Sequence, residues 1–196
     1  MQFANEPPDQ LISDFESGTR DLAQVGGRDG SWVLGWDNTP GVPIPTNEPS
    51  SMCVARDKWA GHYEASGWAS WGTNWTAIFR AQPNSVPFPY DGRAYSAISF
   101  WAAFGGDYDS LFNVPVGITT MDTAWNSSGC TTCNDFYQAK VSLSREWRRF
   151  VVRFDDMAQS GYGIPQVAMR RDQLVGFIIW PDQQFDIWID DLRFEP

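Results

Sequence analysis

The chain is predicted to be all-β, an antiparallel β-sandwich of jelly-roll type, and three observations carry that prediction. Short runs rich in Val, Ile, Phe and Trp recur along its 196 residues, with 17 Gly and 13 Pro scattered between them as turn signals. No long segment keeps a helical period. Strands joined by turns must bury their apolar faces against a second sheet, and about ten of them suffice for a sandwich. At 22.1 kDa the chain fits one domain, large enough to bury a core without help from a metal or a disulfide. That domain is expected over 11–196. Residues 1–10, with Pro7 and Pro8 and neither a basic start nor an apolar run, read as a linker or chain end rather than a signal peptide or membrane span.

The strands follow from local pattern. Residues 11–16 form the first, and a Gly-rich stretch over 26–30 leads into the second at 31–36. Residues 38–51 hold Pro40, Pro43, Pro45 and Pro49, which forbid a central strand and predict an extended loop. Further strands are expected at 51–56, 62–67, 75–81, 96–104, 113–119, 148–154, 174–180 and 185–194. Alternation is clearest in Phe150, Val152 and Phe154 and in Val114, Val116 and Ile118, so each set is assigned to the core. Only 157–173 leaves room for a short helical turn, and Gly161, Gly163 and Pro165 keep it from growing.

Aromatic content sets the functional question. Eleven Trp stand beside 13 Phe and 6 Tyr, more indole than a core of this size needs. Tryptophan carries a wide apolar face and a polar N–H, which suits a site with protein on one side and a ligand on the other; the C–H face of a sugar ring is such a ligand. The formal charge of −10 argues against partners that need a basic patch, nucleic acid and anionic membranes among them. A neutral partner fits better.

Catalytic signatures are sparse. His62 is the only imidazole, so a Ser/His/Asp arrangement or a multi-histidine metal site would have to rest on it. No G-x-S-x-G, H-E-x-x-H or P-loop pattern occurs. Glycosidases need only two carboxylates, and Glu64, Asp107, Asp109, Asp135 and Glu146 supply candidates without singling out a pair. Cys130 and Cys133 lie in a polar Gly-Cys-Thr-Thr-Cys-Asn run, where a loop-closing disulfide suits an oxidising compartment. Cys53 is left as a buried small residue or as a partner for either of them. One CxxC alone does not make a four-ligand zinc site.

Acidic residues at the two ends carry a different expectation. If the terminal strands pair, Asp14 and Glu16 come beside Asp190 and Asp191, and carboxylates meeting there call for a cation. Calcium, which takes oxygen from carboxylates and turn carbonyls, is the expected one, in a structural role; the spacing fits equally well Asp190 and Asp191 as solvent-facing, turn-forming residues.

Several motifs, in order, carry a resemblance. They are Asp14-Phe15-Glu16, Gly27-Arg28-Asp29-Gly30-Ser31-Trp32, Trp71-Gly72, Pro89-Tyr90-Asp91, Ile98-Ser99-Phe100-Trp101, Glu146-Trp147-Arg148-Arg149-Phe150 and Phe185-Asp186-Ile187-Trp188-Ile189-Asp190-Asp191. Together they resemble the galactose-binding-like β-sandwich carbohydrate-binding modules attached to bacterial polysaccharide-degrading enzymes. The resemblance spans 11–195. It implies a jelly roll with calcium near paired termini, Glu16 and Asp191 as first ligands, Asp14 and Asp190 in reserve, and a glycan cleft on the concave sheet. The 129–136 segment also resembles a loop of bacterial relatives, which strengthens the Cys130–Cys133 pairing.

Alternation then nominates the glycan-binding side chains. With Phe177 and Ile179 inward, Ile178 and Trp180 face the other way; Ser99, Trp101 and Ala103 likewise lie opposite Ile98 and Phe100. Trp180 is followed by polar residues that include Gln183. Trp71 and Trp125 read as loop aromatics, Tyr108 lies between two aspartates, and Asp135, Tyr137 and Gln138 form a further polar and aromatic cluster. Trp32, Trp147 and Trp188 are expected to be buried.

The function these residues imply is noncatalytic binding of a neutral plant β-glycan, such as β-glucan, cellulose, xyloglucan or a related hemicellulose. The module would be a secreted monomer that targets an attached enzyme to plant cell-wall polysaccharide. The alternatives are a jelly-roll glycoside hydrolase or polysaccharide lyase using paired carboxylates, and a surface domain binding another protein through its aromatic patch.

Overall fold

The computed structural model describes residues 10–19, 21–25, 28–36, 42–44, 61–66, 73–80, 89–105, 112–124, 135–161, 163, 168–180 and 185–196. Its strands are β1 (Leu11–Ser13), β2 (Asp29–Trp36), β3 (Val42–Ile44), β4 (Gly61–Ser66), β5 (Thr73–Arg80), β6 (Ala97–Phe104), β7 (Phe112–Thr120), β8 (Tyr137–Leu143), β9 (Arg148–Arg153), β10 (Leu174–Ile179) and β11 (Phe185–Glu195). All strand pairings are antiparallel. One sheet runs β3-β4-β11-β6-β9 with β1 also paired to β11; the other runs β2-β5-β10-β7-β8.

The predicted all-β antiparallel sandwich is therefore the observed fold, with local corrections. Val42–Ile44 lies inside the expected proline-rich loop yet forms a strand, with Pro43 paired to Ala65. It sits at the sheet's edge, where a residue without an N–H is tolerated. β8 was not anticipated and forms the outer strand of the five-stranded sheet. A 3-10 turn at Phe154–Asp156 precedes the segment where a helical turn was allowed, and a second, Arg171–Gln173, forms its last three residues. The expected strand at 51–56 lies outside the described residues.

Alternation builds the core. Val114, Val116 and Ile118 from β7 face it, as do Ile98, Phe100 and Phe104 from β6 and Phe177 and Ile179 from β10. Val152 and Phe154 are buried with them, and Phe150 packs partly buried at their side. Trp32 is wholly buried, stacked on Phe15 with ring centres 5.5 Å apart and edge-on to Phe177 at 6.3 Å. Its indole N–H donates to the Ser13 hydroxyl at 3.1 Å, so the ring's one polar atom is satisfied in the interior. Trp32 and Trp188 are buried as expected, whereas Trp147 is only half-buried. Trp188 and Trp147 form, with Ala103, a small cluster separate from the main core. Trp188 pairs with Ala103, next to the inward Ile187 and Ile189, which puts this cluster on the outward side of the six-stranded sheet.

The chain ends meet at one corner. Leu11 pairs with Arg193 and Ser13 with Leu192, and the register shifts there because the ladder bulges. Phe15 and Asp191 both take left-handed backbone conformations, with φ of 57° and 50°. Arg28, almost fully buried, donates to the Leu11 carbonyl and lays its guanidinium over the rings of Tyr90 and Phe194 at 4.9 and 5.2 Å. A cation held against two aromatic faces ties β1, the start of β2 and β11 together.

Candidate functional site

The outward side of the five-stranded sheet is set by the pleat of β10. Phe177 and Ile179 point into the core, so Ile178 between them points out. In register, Ile178 pairs with Gly117 of β7, and Gly117 pairs with Gln138 of β8. One residue beyond the strand, the Trp180 N–H donates to the Pro115 carbonyl at 2.9 Å, which continues the pairing. Pro115 pairs with Lys140. The face therefore carries Gln138 and Lys140 from β8, Pro115 and Gly117 from β7, and Ile178 and Trp180 from β10. Trp180, Pro115 and Gln138 are half-buried and Lys140 is exposed.

Phe136 completes this face. A Cβ built on Gly117 would lie 3.2 Å from Phe136 Cδ2 and would collide with the Tyr137 carbonyl, so only glycine lets the ring and the β8 backbone settle over β7. Phe136 is buried, and its ring centre is 5.0 Å from that of Trp180 with the planes tilted by 52°. The two rings thus form one tilted pair. Trp180 was expected on this side from alternation, and the structure places it there. Phe136 and Gly117 were not singled out as site residues, although a glycine inside an alternating strand is a known sign of close backbone approach.

Asp135 anchors the segment beside this pair. Its carboxylate is 1% exposed and accepts four hydrogen bonds. Oδ1 takes the Ser160 amide at 2.7 Å and the Ser160 hydroxyl at 2.5 Å, and Oδ2 takes the Gly161 and Gly163 amides at 2.9 and 3.0 Å. The Gln159 side-chain amide donates to the Asp135 carbonyl at 2.8 Å. Gln138 and Ala158 exchange two backbone hydrogen bonds of 3.0 Å, which lays the segment along the outer edge of β8. Burial alone would raise the Asp135 pKa, but the Ser160 hydroxyl and the amides of Gly163, Ser160 and Gly161 outweigh it and hold the carboxyl below its ordinary 3.8. A carboxylate whose pKa falls on folding stabilises the fold above its unfolded pKa, and that contribution is lost as pH falls through the folded value.

Asp135 was nominated as a direct glycan ligand, and the structure places it in the interior with its acceptors taken. Tyr137 was nominated too; it is 6% exposed and belongs to the core, opposite Ile118. Among the described residues its hydroxyl has no hydrogen-bond partner. Burial, and then the negative charge of Asp122, raise its pKa. The structure thus places Gln138 and Trp180 on one face and turns Asp135 and Tyr137 inward. Trp71, Tyr108, Trp125 and Gln183 lie outside the described residues, as do Cys53, Cys130 and Cys133. Of the candidate catalytic carboxylates, Asp107 and Asp109 also lie outside them, and Glu146 is exposed and paired with Arg148 at 3.1 Å.

The terminal strands pair as expected, so Asp14, Glu16, Asp190 and Asp191 are carried to one corner. Asp14 Oδ1 accepts the Glu16 amide at 3.2 Å and Asp190 Oδ1 the Asp191 amide at 2.7 Å. Arg193 meets Asp191 Oδ1 at 3.0 Å. Among the described residues no three His, Cys, Asp or Glu side chains gather as a metal cluster. The donors present are oxygens, the kind a hard cation takes; a calcium shell of 6–8 ligands would need turn carbonyls as well.

No protein-family model matches the chain, and no curated protein matches it in sequence. Solved structures match its fold. The family 11 carbohydrate-binding module of a cellulosomal cellulase of Clostridium thermocellum superposes with a TM-score of 0.62 at 11% identity, covering 95% of this chain and 93% of that one. A family 11 module from the same organism, in complex with a β-1,3-1,4-mixed-linked tetrasaccharide, superposes at 0.60 with 12% identity over 95% and 94%. A family 30 carbohydrate-binding module of another cellulosomal cellulase of that organism gives 0.56 at 10% identity over 83% and 90%. The chain thus shares the β-sandwich of these modules.

Tyr137→Phe separates a core role from a ligand role. Removing an unpartnered buried hydroxyl should leave stability equal or raise it by about 1 kcal/mol in urea unfolding. It should also leave glycan retardation in native gels unchanged; weaker retardation would return Tyr137 to the binding face.

Proposed function

We propose that this chain is a noncatalytic carbohydrate-binding module that holds a neutral plant β-glycan on the outward face of its five-stranded sheet. The single observation that carries the reading is the Phe136–Trp180 pair on that face, flanked by Gln138 and Lys140. Trp180 would stack against the C–H face of a pyranose ring while Phe136 beneath it fixes the indole's tilt. The Gln138 amide both donates and accepts, and Lys140 donates, so the two can select hydroxyl positions. No bond is made or broken. Each polar contact replaces one to water, so affinity per site is modest and becomes useful when an attached enzyme is kept near the polymer.

The glycan class rests on charge and on the fold. A net charge of −10 repels polyuronates and leaves neutral chains. A module of the same fold binds a β-1,3-1,4-mixed-linked tetrasaccharide, so mixed-linkage β-glucan is the first ligand to try. We place the protein outside the cell, as a monomer tethered to a polysaccharide-degrading enzyme, where a polymer partner would be met and a Cys130–Cys133 disulfide would persist.

Native gels containing mixed-linkage β-glucan, xyloglucan, xylan, mannan or pectin test the reading, with reducing ends assayed in parallel. The expected result is retardation in a neutral β-glycan without new ends, and loss of at least about tenfold in affinity, roughly 1.4 kcal/mol, for Trp180→Ala. Release of ends would make the chain an enzyme. Absence of retardation in every gel would overturn the glycan reading.

We also propose a structural calcium at the terminal corner, held by Glu16 and Asp191 with Asp14 and Asp190 in reserve; bound there, it would screen the carboxylates and brace β1 against β11. Chelation should lower the melting temperature by several degrees, and added calcium should restore it where equal magnesium does not. An unchanged melting temperature would remove the metal from the account.

A further inference from the structure

Asp135 does more than its burial suggests, because the residue it immediately precedes is Phe136 of the Phe136–Trp180 pair. From the geometry we infer that Asp135 is a positioning residue for glycan binding: it clasps Ser160, Gly161 and Gly163 to the root of Phe136 and thereby fixes the ring on which Trp180 rests. The inference rests on the glycan-binding reading above and adds to it the residue that holds the platform.

Three observations carry it. All four hydrogen bonds that the carboxylate accepts among the described residues come from Ser160, Gly161 and Gly163, which follow closely on the Ala158–Gln138 bridge. Phe136 follows Asp135 directly, and its ring lies beside Gly117 and against the indole of Trp180, so a shift of the Asp135 backbone passes straight to that ring pair. Gln138, two residues further on, lies on the same face and is held on its outer edge by the strap that Asp135 anchors. The aromatic and the amide proposed to meet the glycan are therefore oriented through one buried carboxylate. A carboxylate suits this task because each oxygen accepts two bonds, which a neutral amide with a single acceptor oxygen does not reproduce.

The test is Asp135→Asn, which keeps the side chain's shape and leaves one acceptor oxygen. Ser160→Ala is the milder companion, because Ser160 is exposed and loses only its hydroxyl bond. Amide hydrogen exchange is followed alongside retardation in mixed-linkage β-glucan gels. For Asp135→Asn the expected result is at least about tenfold faster exchange of the Ser160, Gly161 and Gly163 amides, at least about fivefold weaker retardation, and unchanged exchange in β6 and β10. Ser160→Ala should move both readouts in the same direction by a smaller factor. Faster exchange at 160–163 with undiminished retardation would overturn the inference while leaving the glycan reading in place. Unchanged exchange would overturn the clasp itself. If wild-type protein is not retarded, the glycan reading fails first and the wild-type lane shows it.

Discussion

The two-residue pleat of β10 is the constraint on which the rest of the molecule depends. Phe177 and Ile179 are buried in the common core, and Phe177 meets both Trp32 and Phe100 there. The same backbone therefore has no choice about Ile178 and Trp180. A slip of one residue would turn Phe177 out of the common core and Trp180 into it, so the packing of the core and the placement of the platform are one specification. β10 sits at the centre of its sheet, paired on both sides, and this holds the register from two directions.

From that strand the site is assembled by contacts of decreasing regularity. β7 contributes a glycine where its neighbour's ring must sit, and β8 contributes the ring itself just before its first residue. The last component is irregular: Gln159, Ser160, Gly161 and Gly163 stand outside the named strands and are held by the Asp135 carboxylate, the Gln159 side-chain amide and the bridge at Ala158. Such segments are ordinarily the first part of a domain to open. Four charge-assisted bonds to one buried oxygen pair offset that tendency at the place where a ligand would meet it. The opposite sheet also carries indoles on its outer side, but there Trp188 is packed under Trp147 in a cluster of its own.

Much of this was legible in the chain because period-two alternation leaves few alternatives. Val114, Val116 and Ile118, and Phe177 against Ile178, fall where the pattern puts them. Pairing of the terminal strands was implied by the resemblance, and the acidic motifs at the two ends meet only because of it. β8 was harder, since Tyr137 beside Asp135 and Gln138 reads equally as a polar cluster; tertiary burial settles Tyr137 inward. The role of Asp135 was not legible at all, because its donors lie 25 to 28 residues away in a segment without periodicity. Gly117 gave a signal, but what fills the space it leaves is decided only by the fold. Val42–Ile44 shows the complementary case, where proline excluded a central strand and left an edge strand open.

The central claim, that the outward face of the five-stranded sheet is the glycan platform, is tested most directly by titrating isotopically labelled protein with a mixed-linkage β-glucan tetrasaccharide and following each amide and indole resonance. The account predicts shifts concentrated at Trp180, Phe136, Gln138, Lys140 and Gly117, with Trp147 and Trp188 undisturbed. Shifts centred on Trp147 and Trp188 instead would put the ligand on the other sheet and contradict it.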